Sequence, residues 1–131
     1  MGEGVFIIMK KTILVVDDEE HIRLLYKEEF EEEGYTVLLA GSGEDALTLV
    51  ENKLPDLITL DIKMPGIDGI TLARKIKEIR SDMPVIFVSA YEDYKHDFGT
   101  WASDAYFVKS ANLAELKSLI AKILKDKASK P

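Results

Sequence analysis

The chain has 131 residues, 47% hydrophobic and 31% charged, which indicates one globular domain rather than two of ordinary size. It contains no cysteine, which excludes a disulfide framework and thiolate metal sites and fits a cytoplasmic location, and its formal net charge of −7 disfavours direct binding to nucleic acid. No apolar run approaches the roughly 18 residues that a membrane span needs. The apolar stretch Val5–Met9 is short and follows no cationic residues, so we expect neither a membrane anchor nor a secretory signal.

Five apolar runs rich in β-branched residues recur along the chain, and they are predicted to be strands. In chain order they are Thr12–Val16, Tyr35–Ala40, Leu57–Leu60, Val85–Val88 and Ala105–Val108. Most are continuous rather than alternating, which is typical of strands covered on both faces in a parallel sheet.

Four segments between and after these runs have apolar residues at helical spacing, and they are predicted to be helices. In chain order the apolar stripes are Ile22, Leu25 and Phe30; Ala46, Leu47 and Val50; Leu72, Ile76 and Ile79; and Leu113, Leu116, Ile120, Ile123 and Leu124. Gly34 is predicted to end the first helix, Ser42 or Gly43 to cap the second, and Asn112 to cap the last.

The segment Tyr91–Ser103 stands where a crossover between the last two strands is required, but it contains Gly99 and poor helix formers. We expect a short or fraying helix there. The alternation of strands and helices predicts an α/β fold, a doubly wound five-stranded parallel sheet with helices on both faces. The expected division is an N-terminal extension at residues 1–10, one domain at 11–127 and a C-terminal tail at 128–131.

Polar and charged residues stand where four of the predicted strands end. They are Asp17, Asp18 and Glu19 after the first strand, Asp61 after the third, Ser89 after the fourth and Lys109 after the fifth. In such sheets ligands bind beyond the carboxyl ends of the strands, so we expect three acids to converge with one hydroxyl and one lysine: Asp17, Asp18, Asp61, Ser89 and Lys109. Crowded carboxylates raise each other's pKa unless a cation offsets them, and Mg²⁺ binds through a few carboxylates and waters. The pattern therefore predicts a magnesium site that can receive an incoming trianion.

Four segments resemble the receiver domain of two-component response regulators: "ILVVDDE", "PDLITLDIKMPGIDG", "PVIFVSA" and "DAYFVKS". The resemblance covers about Lys11 to Leu124 and implies the flavodoxin-like strand order 2-1-3-4-5. It also implies a phosphoacceptor that a sensor histidine kinase or a phosphotransfer protein charges in a phosphorelay, with Mg²⁺, or Mn²⁺ in its place, as cofactor. Such a domain is not an enzyme, although it assists its own phosphorylation and dephosphorylation.

The same resemblance implies a role for each residue at the strand ends. Asp61 is implied to be the phosphoacceptor, whose carboxylate forms an acyl phosphate. The implied direct metal ligands are Asp18, Asp61 and the backbone carbonyl of Lys63, and Asp17 is implied to hold a metal-bound water. The implied phosphoryl-binding residues are Ser89 and Lys109.

Further positions are implied to switch or tune such a site. Tyr106 matches the aromatic switch position of the output face. Lys63 lies two residues after the phosphoacceptor, and Tyr91 lies two residues after Ser89. We expect both side chains to hinder attacking water and so to prolong the phosphorylated state. Ser110 replaces the proline that usually follows the lysine, so either a cis or a trans peptide after Lys109 is open.

The implied partners are the kinase or phosphotransfer protein, an unidentified downstream protein and a second copy of the chain. The copy would bind through the face formed by the helix expected at Tyr91–Ser103, the fifth strand and the last helix. A pseudo-receiver that works without phosphorylation and a receiver belonging to a larger regulator both stay open. The "GSGEDA" stretch at Gly41–Ala46 matches a dinucleotide-binding pattern but follows the second strand, while the first turn is acidic. A phosphatase would generally need another acid where Lys63 stands.

Overall fold

A five-stranded parallel sheet forms the centre of the molecule, in a computed structural model that describes residues 10–90, 104–109 and 112–129. Its strands are β1 Thr12–Val16, β2 Thr36–Ala40, β3 Leu57–Asp61, β4 Val85–Ser89 and β5 Ala105–Val108. They lie in the order β2-β1-β3-β4-β5, and every neighbouring pair is parallel. The predicted fold class and strand order are therefore confirmed, and each predicted strand end agrees to within one residue.

Four helices flank the described part of the sheet. They are α1 Glu20–Glu32, α2 Gly43–Lys53, α3 Gly69–Ile79 and α4 Leu113–Ser129. The three helix ends that the sequence predicted are confirmed. Gly34 follows α1 with φ +98°, a conformation in which any other residue would be strained. The Ser42 hydroxyl accepts a hydrogen bond from the Asp45 N–H at 3.1 Å, and the Asn112 side chain accepts one from the Ala114 N–H at 2.8 Å.

Each face of the sheet is covered by its own layer of helices. Leu14 and Val16 of β1 point into a core with α2 and α3, which includes Val50 and Ile76, and alternate residues of the same strand point the other way. The second core joins α1 and α4 to the opposite face. Its main members are Ile13, Val15, Tyr26, Phe30, Val88, Phe107, Leu116 and Ile120. Because both faces are covered, the strands read as continuous apolar runs rather than as alternating ones.

For two residues the predicted position on the apolar stripe of a helix is wrong. Leu25 is 46% exposed and Ile79 is 41% exposed. In α1 the buried residues are Tyr26 and Phe30, whose i, i+4 spacing turns the helix so that the neighbouring Leu25 faces outward. Ile79 is the last residue of α3 and lies past the helix's last buried residue, Ile76.

Several predictions concern residues that the structure does not describe. The predicted fourth helix at Tyr91–Ser103, the peptide between Lys109 and Ser110 and residues 1–9 of the N-terminal extension lie outside the described ranges. The expected domain boundaries stay predictions. Within residues 10–90, 104–109 and 112–129, no helix combines the length and the apolar character that crossing a membrane requires.

Candidate functional site

The hydrogen bonds of the sheet itself fix the residues at its carboxyl edge. The backbone N–H of Asp17 donates to the Ala40 carbonyl at 3.1 Å and so extends the β1–β2 ladder by one residue. Asp61 is the last residue of β3, and Ser89 is the last of β4. The Lys109 N–H donates to the Ser89 carbonyl at 2.8 Å. The sequence rule that strand ends converge is therefore correct for four strands.

Three carboxylates meet at this edge. Asp17, Asp18 and Asp61 each offer an oxygen atom, and these atoms all lie within 4.8 Å of one another. Asp17 is 2% exposed and Asp61 is 6% exposed, whereas Asp18 lies on the surface. We call these three side chains the acidic pocket, which is thus buried on one side and open to an incoming ion on the other.

Lys109 supplies positive charge to the acidic pocket. Its Nζ lies 2.9 Å from Oδ2 of Asp17, 3.5 Å from Oδ2 of Asp61 and 3.6 Å from Oε1 of Glu19. Burial alone would lower the pKa of this lysine, but the hydrogen bond and charge of Asp17 and the charges of the other two carboxylates raise it. The ammonium group is therefore firmly held in its charged form.

The single ammonium group does not fully compensate the acids. Burial, and secondly the charge of Asp17, raise the pKa of Asp61 to about 6, although Lys109 and a hydrogen bond from the Lys63 backbone N–H oppose the rise. A site with surplus negative charge and only oxygen donors suits a hard divalent cation such as Mg²⁺. The donor set of the acidic pocket therefore fits the ion that the sequence predicted.

The residues predicted to face the phosphoryl group and the output surface lie beside this pocket. Ser89 is 1% exposed at the end of the strand next to Asp61. Tyr106 pairs with Phe87 across β4 and β5 and is half-buried against the core of α2 and α3. Tyr91 lies outside the described ranges. The roles of the Lys63 carbonyl and of a water held by Asp17 stay predictions.

The loop after β3 holds the helix start of α3 directly against Asp61. The Gly69 N–H donates to the Ile62 carbonyl at 2.8 Å, and a Cβ atom at Gly69 would overlap the Asp61 carbonyl oxygen and lie 2.7 Å from the Ile62 Cα. Asp68 caps α3 by accepting from the Thr71 N–H at 2.9 Å. The last glycine of the sequence motif is therefore required by close contact with the backbone of Asp61.

Three residues at this edge were not among the predicted site residues. Glu19 contacts the Lys109 ammonium, Arg23 donates from Nη1 to the Asp17 carbonyl at 2.7 Å, and Gly69 makes the close contact just described. Gly69 could have been inferred, since it belongs to the quoted motif. Arg23 could not, because the spacing of residues does not show that a helical side chain reaches back to the preceding loop.

Comparisons with known proteins give a consistent result. The family model for the response regulator receiver domain matches residues 13–121. Sporulation initiation phosphotransferase F of Bacillus subtilis is 35% identical over 119 residues, which are 89% of this chain and 96% of that protein. The alkaline phosphatase synthesis transcriptional regulatory protein PhoP of Bacillus subtilis is also 35% identical, but the match covers 50% of its length. The chain thus spans almost all of the first relative and about half of the second.

A solved structure of the response regulator protein TrrA from Thermotoga maritima, in complex with Mg²⁺-BeF, is also similar. It is 47% identical with a TM-score of 0.82, covering 86% of this chain and 98% of that one. TrrA in complex with the histidine kinase ThkA matches with a TM-score of 0.81, covering 87% of this chain and 98% of that one. Both matches extend over most of the chain, so the similarity to TrrA concerns the whole fold and not one motif alone.

Proposed function

This chain belongs to the response regulator receiver domain family and is a phosphoacceptor of two-component signalling, and we propose that Asp61 is the residue that takes up the phosphoryl group. One observation carries this assignment. Asp61 ends the central strand β3 with its carboxylate within 4.8 Å of two other acids and 3.5 Å from the Lys109 ammonium. Burial, and secondly the charge of Asp17, raise the pKa of Asp61 to about 6, so its negative charge would gain from a bound cation.

In the proposed reaction an Asp61 carboxylate oxygen attacks the phosphorus atom of a phosphohistidine on a histidine kinase or phosphotransfer protein. The new O–P bond forms as the P–N bond breaks, and the partner's imidazole, protonated on its other nitrogen, leaves as a neutral ring. The Lys109 ammonium pairs with a phosphoryl oxygen, and the Ser89 hydroxyl donates to another. Catalysis of this kind consists mostly of positioning and of offsetting charge on the phosphoryl oxygens.

We propose Mg²⁺ as the resident ion, with Mn²⁺ able to take its place. Its ligands would be Asp18, Asp61 and the Lys63 carbonyl, with Asp17 binding through a water molecule. The all-oxygen acidic pocket supports this, and the related TrrA structure contains Mg²⁺-BeF. When bound, the ion supplies the positive charge that lets an anionic carboxylate and an anionic phosphoryl group approach.

The output is proposed to run through Tyr106. Tyr106 lies on β5, half-buried against the core of α2 and α3, so a change at Ser89 on the adjacent strand would alter its packing. A downstream protein, or a second copy bound through Tyr91–Ser103, β5 and α4, would read that change. The complex of TrrA with ThkA supports a kinase partner. The net charge of −7 argues against direct contact with nucleic acid, and the lack of cysteine fits the cytoplasm.

The test is phosphorylation by a small-molecule phosphodonor such as acetyl phosphate, followed by intact mass. Wild type with Mg²⁺ should gain one phosphoryl group that is stable in acid and lost in base, and chelation of the metal should abolish the gain. Asp61→Asn should gain nothing, whereas Asp126→Asn, which changes an exposed acid on α4, should behave as wild type.

The alternatives predict different results in the same assay. A phosphatase would consume the donor repeatedly without accumulating an adduct, and a pseudo-receiver would neither consume it nor change mass. Full labelling of Asp61→Asn would contradict the assignment of the phosphoacceptor.

A further inference from the structure

Arg23 closes the loop that carries two of the three acids. From the first turn of α1 its backbone N–H donates to the Glu19 carbonyl at 3.1 Å, as a helix requires. Its side chain turns back, and Nη1 donates to the Asp17 carbonyl at 2.7 Å. The main chain from Asp17 to Arg23, with Asp18 between them, is thereby tied at both ends.

The guanidinium group fills space left by a neighbouring glycine. A Cβ atom at Gly41 would lie 3.0 Å from Arg23 Nη1 and 3.3 Å from its Cζ. Gly41 has no positive φ, unlike Gly34 and Gly66, so its backbone conformation does not demand glycine. The missing side chain of Gly41 instead leaves room for the close approach of the guanidinium over the end of β2.

Asp17 is held from every side in this arrangement. Its N–H donates to Ala40, its Oδ1 accepts from the Glu19 N–H at 2.9 Å, and its Oδ2 contacts Lys109 at 2.9 Å. The Asp17 carbonyl is the remaining polar group, and it is the one that Arg23 binds. The Asp17 carbonyl is part of the peptide group that joins Asp17 to Asp18. The orientation of this peptide group therefore depends on Arg23.

We propose that Arg23 is a positioning residue for the acidic pocket, holding Asp17 and Asp18 at the separation from Asp61 that a divalent cation needs. The inference rests on the proposed function of the pocket as a Mg²⁺ site. Arg23 acts through the main chain of Asp17 and does not touch the ion, so it is not a catalytic residue.

The charge of Arg23 and its positioning role have effects of opposite sign on metal binding. A nearby cation repels Mg²⁺, so removal of the charge alone would tighten binding, and the gain would shrink with added salt. Loss of positioning would weaken binding instead. Outer-shell partners of metal ligands typically change affinity by about 10-fold or more, so Arg23→Ala is expected to raise the Mg²⁺ dissociation constant about 10-fold. The dissociation constant of Arg23→Lys should lie between those of wild type and Arg23→Ala, since lysine keeps a hydrogen-bond donor but lacks the planar guanidinium group.

Gly41→Ala provides an independent way to disturb the same contact. The added methyl group should push the guanidinium off by a few tenths of an ångström and raise the dissociation constant about two- to threefold. In the Arg23→Ala background the methyl group has nothing to displace, so Gly41→Ala should have no further effect. A general loss of packing would instead make the two effects additive.

The experiment is calorimetric titration of Mg²⁺ at about pH 7, above the Asp61 pKa, into wild type, both single variants, Arg23→Lys and the double variant. Thermal unfolding without metal identifies any variant that does not fold; should Arg23→Ala be one, Arg23→Lys and Gly41→Ala decide. Weaker binding with coupled effects supports the proposal. Wild type that binds no Mg²⁺ overturns the proposed function itself. Wild type that binds, with equal or tighter binding by the Arg23 variants or with additive effects, overturns the inference about Arg23 alone.

Discussion

Replacement of Gly69 by alanine should damage stability and phosphorylation together. The added Cβ would overlap the Asp61 carbonyl oxygen and lie 2.7 Å from the Ile62 Cα, about 1 Å inside ordinary van der Waals contact. The neighbours are backbone atoms, which cannot rotate away, so the start of α3 and the end of β3 must separate. The hydrogen bond from the Gly69 N–H to the Ile62 carbonyl would be lost or lengthened.

Overpacking of this kind lowers the free energy of unfolding by about 3 kcal/mol. The separation should also move the Asp61 carboxylate by up to about 1 Å relative to Lys109, and a misplacement of that size can slow a reaction up to about 100-fold. Urea denaturation measures the first effect, and the rate of acyl phosphate formation from acetyl phosphate measures the second.

Gly66→Ala is the matched control in the same loop. Gly66 has φ +80° and open space around its missing side chain, so alanine there should cost only about 1 kcal/mol from backbone strain. Its phosphorylation rate should stay near that of wild type. Equal losses for the two variants, or a Gly69→Ala protein as stable as wild type, would refute the reasoning from close contact.

Three further predictions follow from single residues. Asp61→Asn should raise the free energy of unfolding without metal at about pH 7 by about 1 kcal/mol, a value reduced for solvent screening. Because the folded pKa of about 6 lies above the unfolded value, the wild type loses stability as the pH rises from about 4 to about 6. In urea denaturation the difference in free energy of unfolding between the two proteins should therefore vanish below about pH 4. Leu54→Gly should stabilise the protein by about 1 kcal/mol in the same assay and Leu54→Ala should not, since Leu54 is 55% exposed with φ +47° at the end of α2; no gain with glycine would contradict this. Lys63→Ala and Tyr91→Ala should each release phosphate faster from the phosphorylated protein, and an unchanged rate would count against their role in hindering water.

Much of the site could be predicted because it depends on strand ends alone. Once the apolar runs fix where β1, β3, β4 and β5 stop, the next residue of each must lie at the same edge of the sheet. Asp17, Asp61, Ser89 and Lys109 follow directly from that rule. The resemblance to receiver domains added the strand order and a role for each residue, but not the geometry.

What could not be predicted depends on how side chains reach across loops. The return of Arg23 to the Asp17 carbonyl and the packing of Gly69 on Asp61 both involve contacts between elements, and residue spacing carries no information on them. The outward turn of Leu25 has a related cause. Two neighbouring residues, Leu25 and Tyr26, compete for one buried position, and the packing of α1 against the sheet decides between them.

The central claim is that the crowded acids at this edge, offset by a metal ion and Lys109, let Asp61 accept a phosphoryl group. The most direct measurement is to phosphorylate the wild-type protein with Mg²⁺ and a phosphodonor, reduce the acyl phosphate with borohydride, and map the reduced residue by peptide mass spectrometry. Homoserine at position 61, formed only when Mg²⁺ is present, is the expected result. Reduction at any other aspartate, or labelling that is unaffected by chelation of the metal, would contradict the claim.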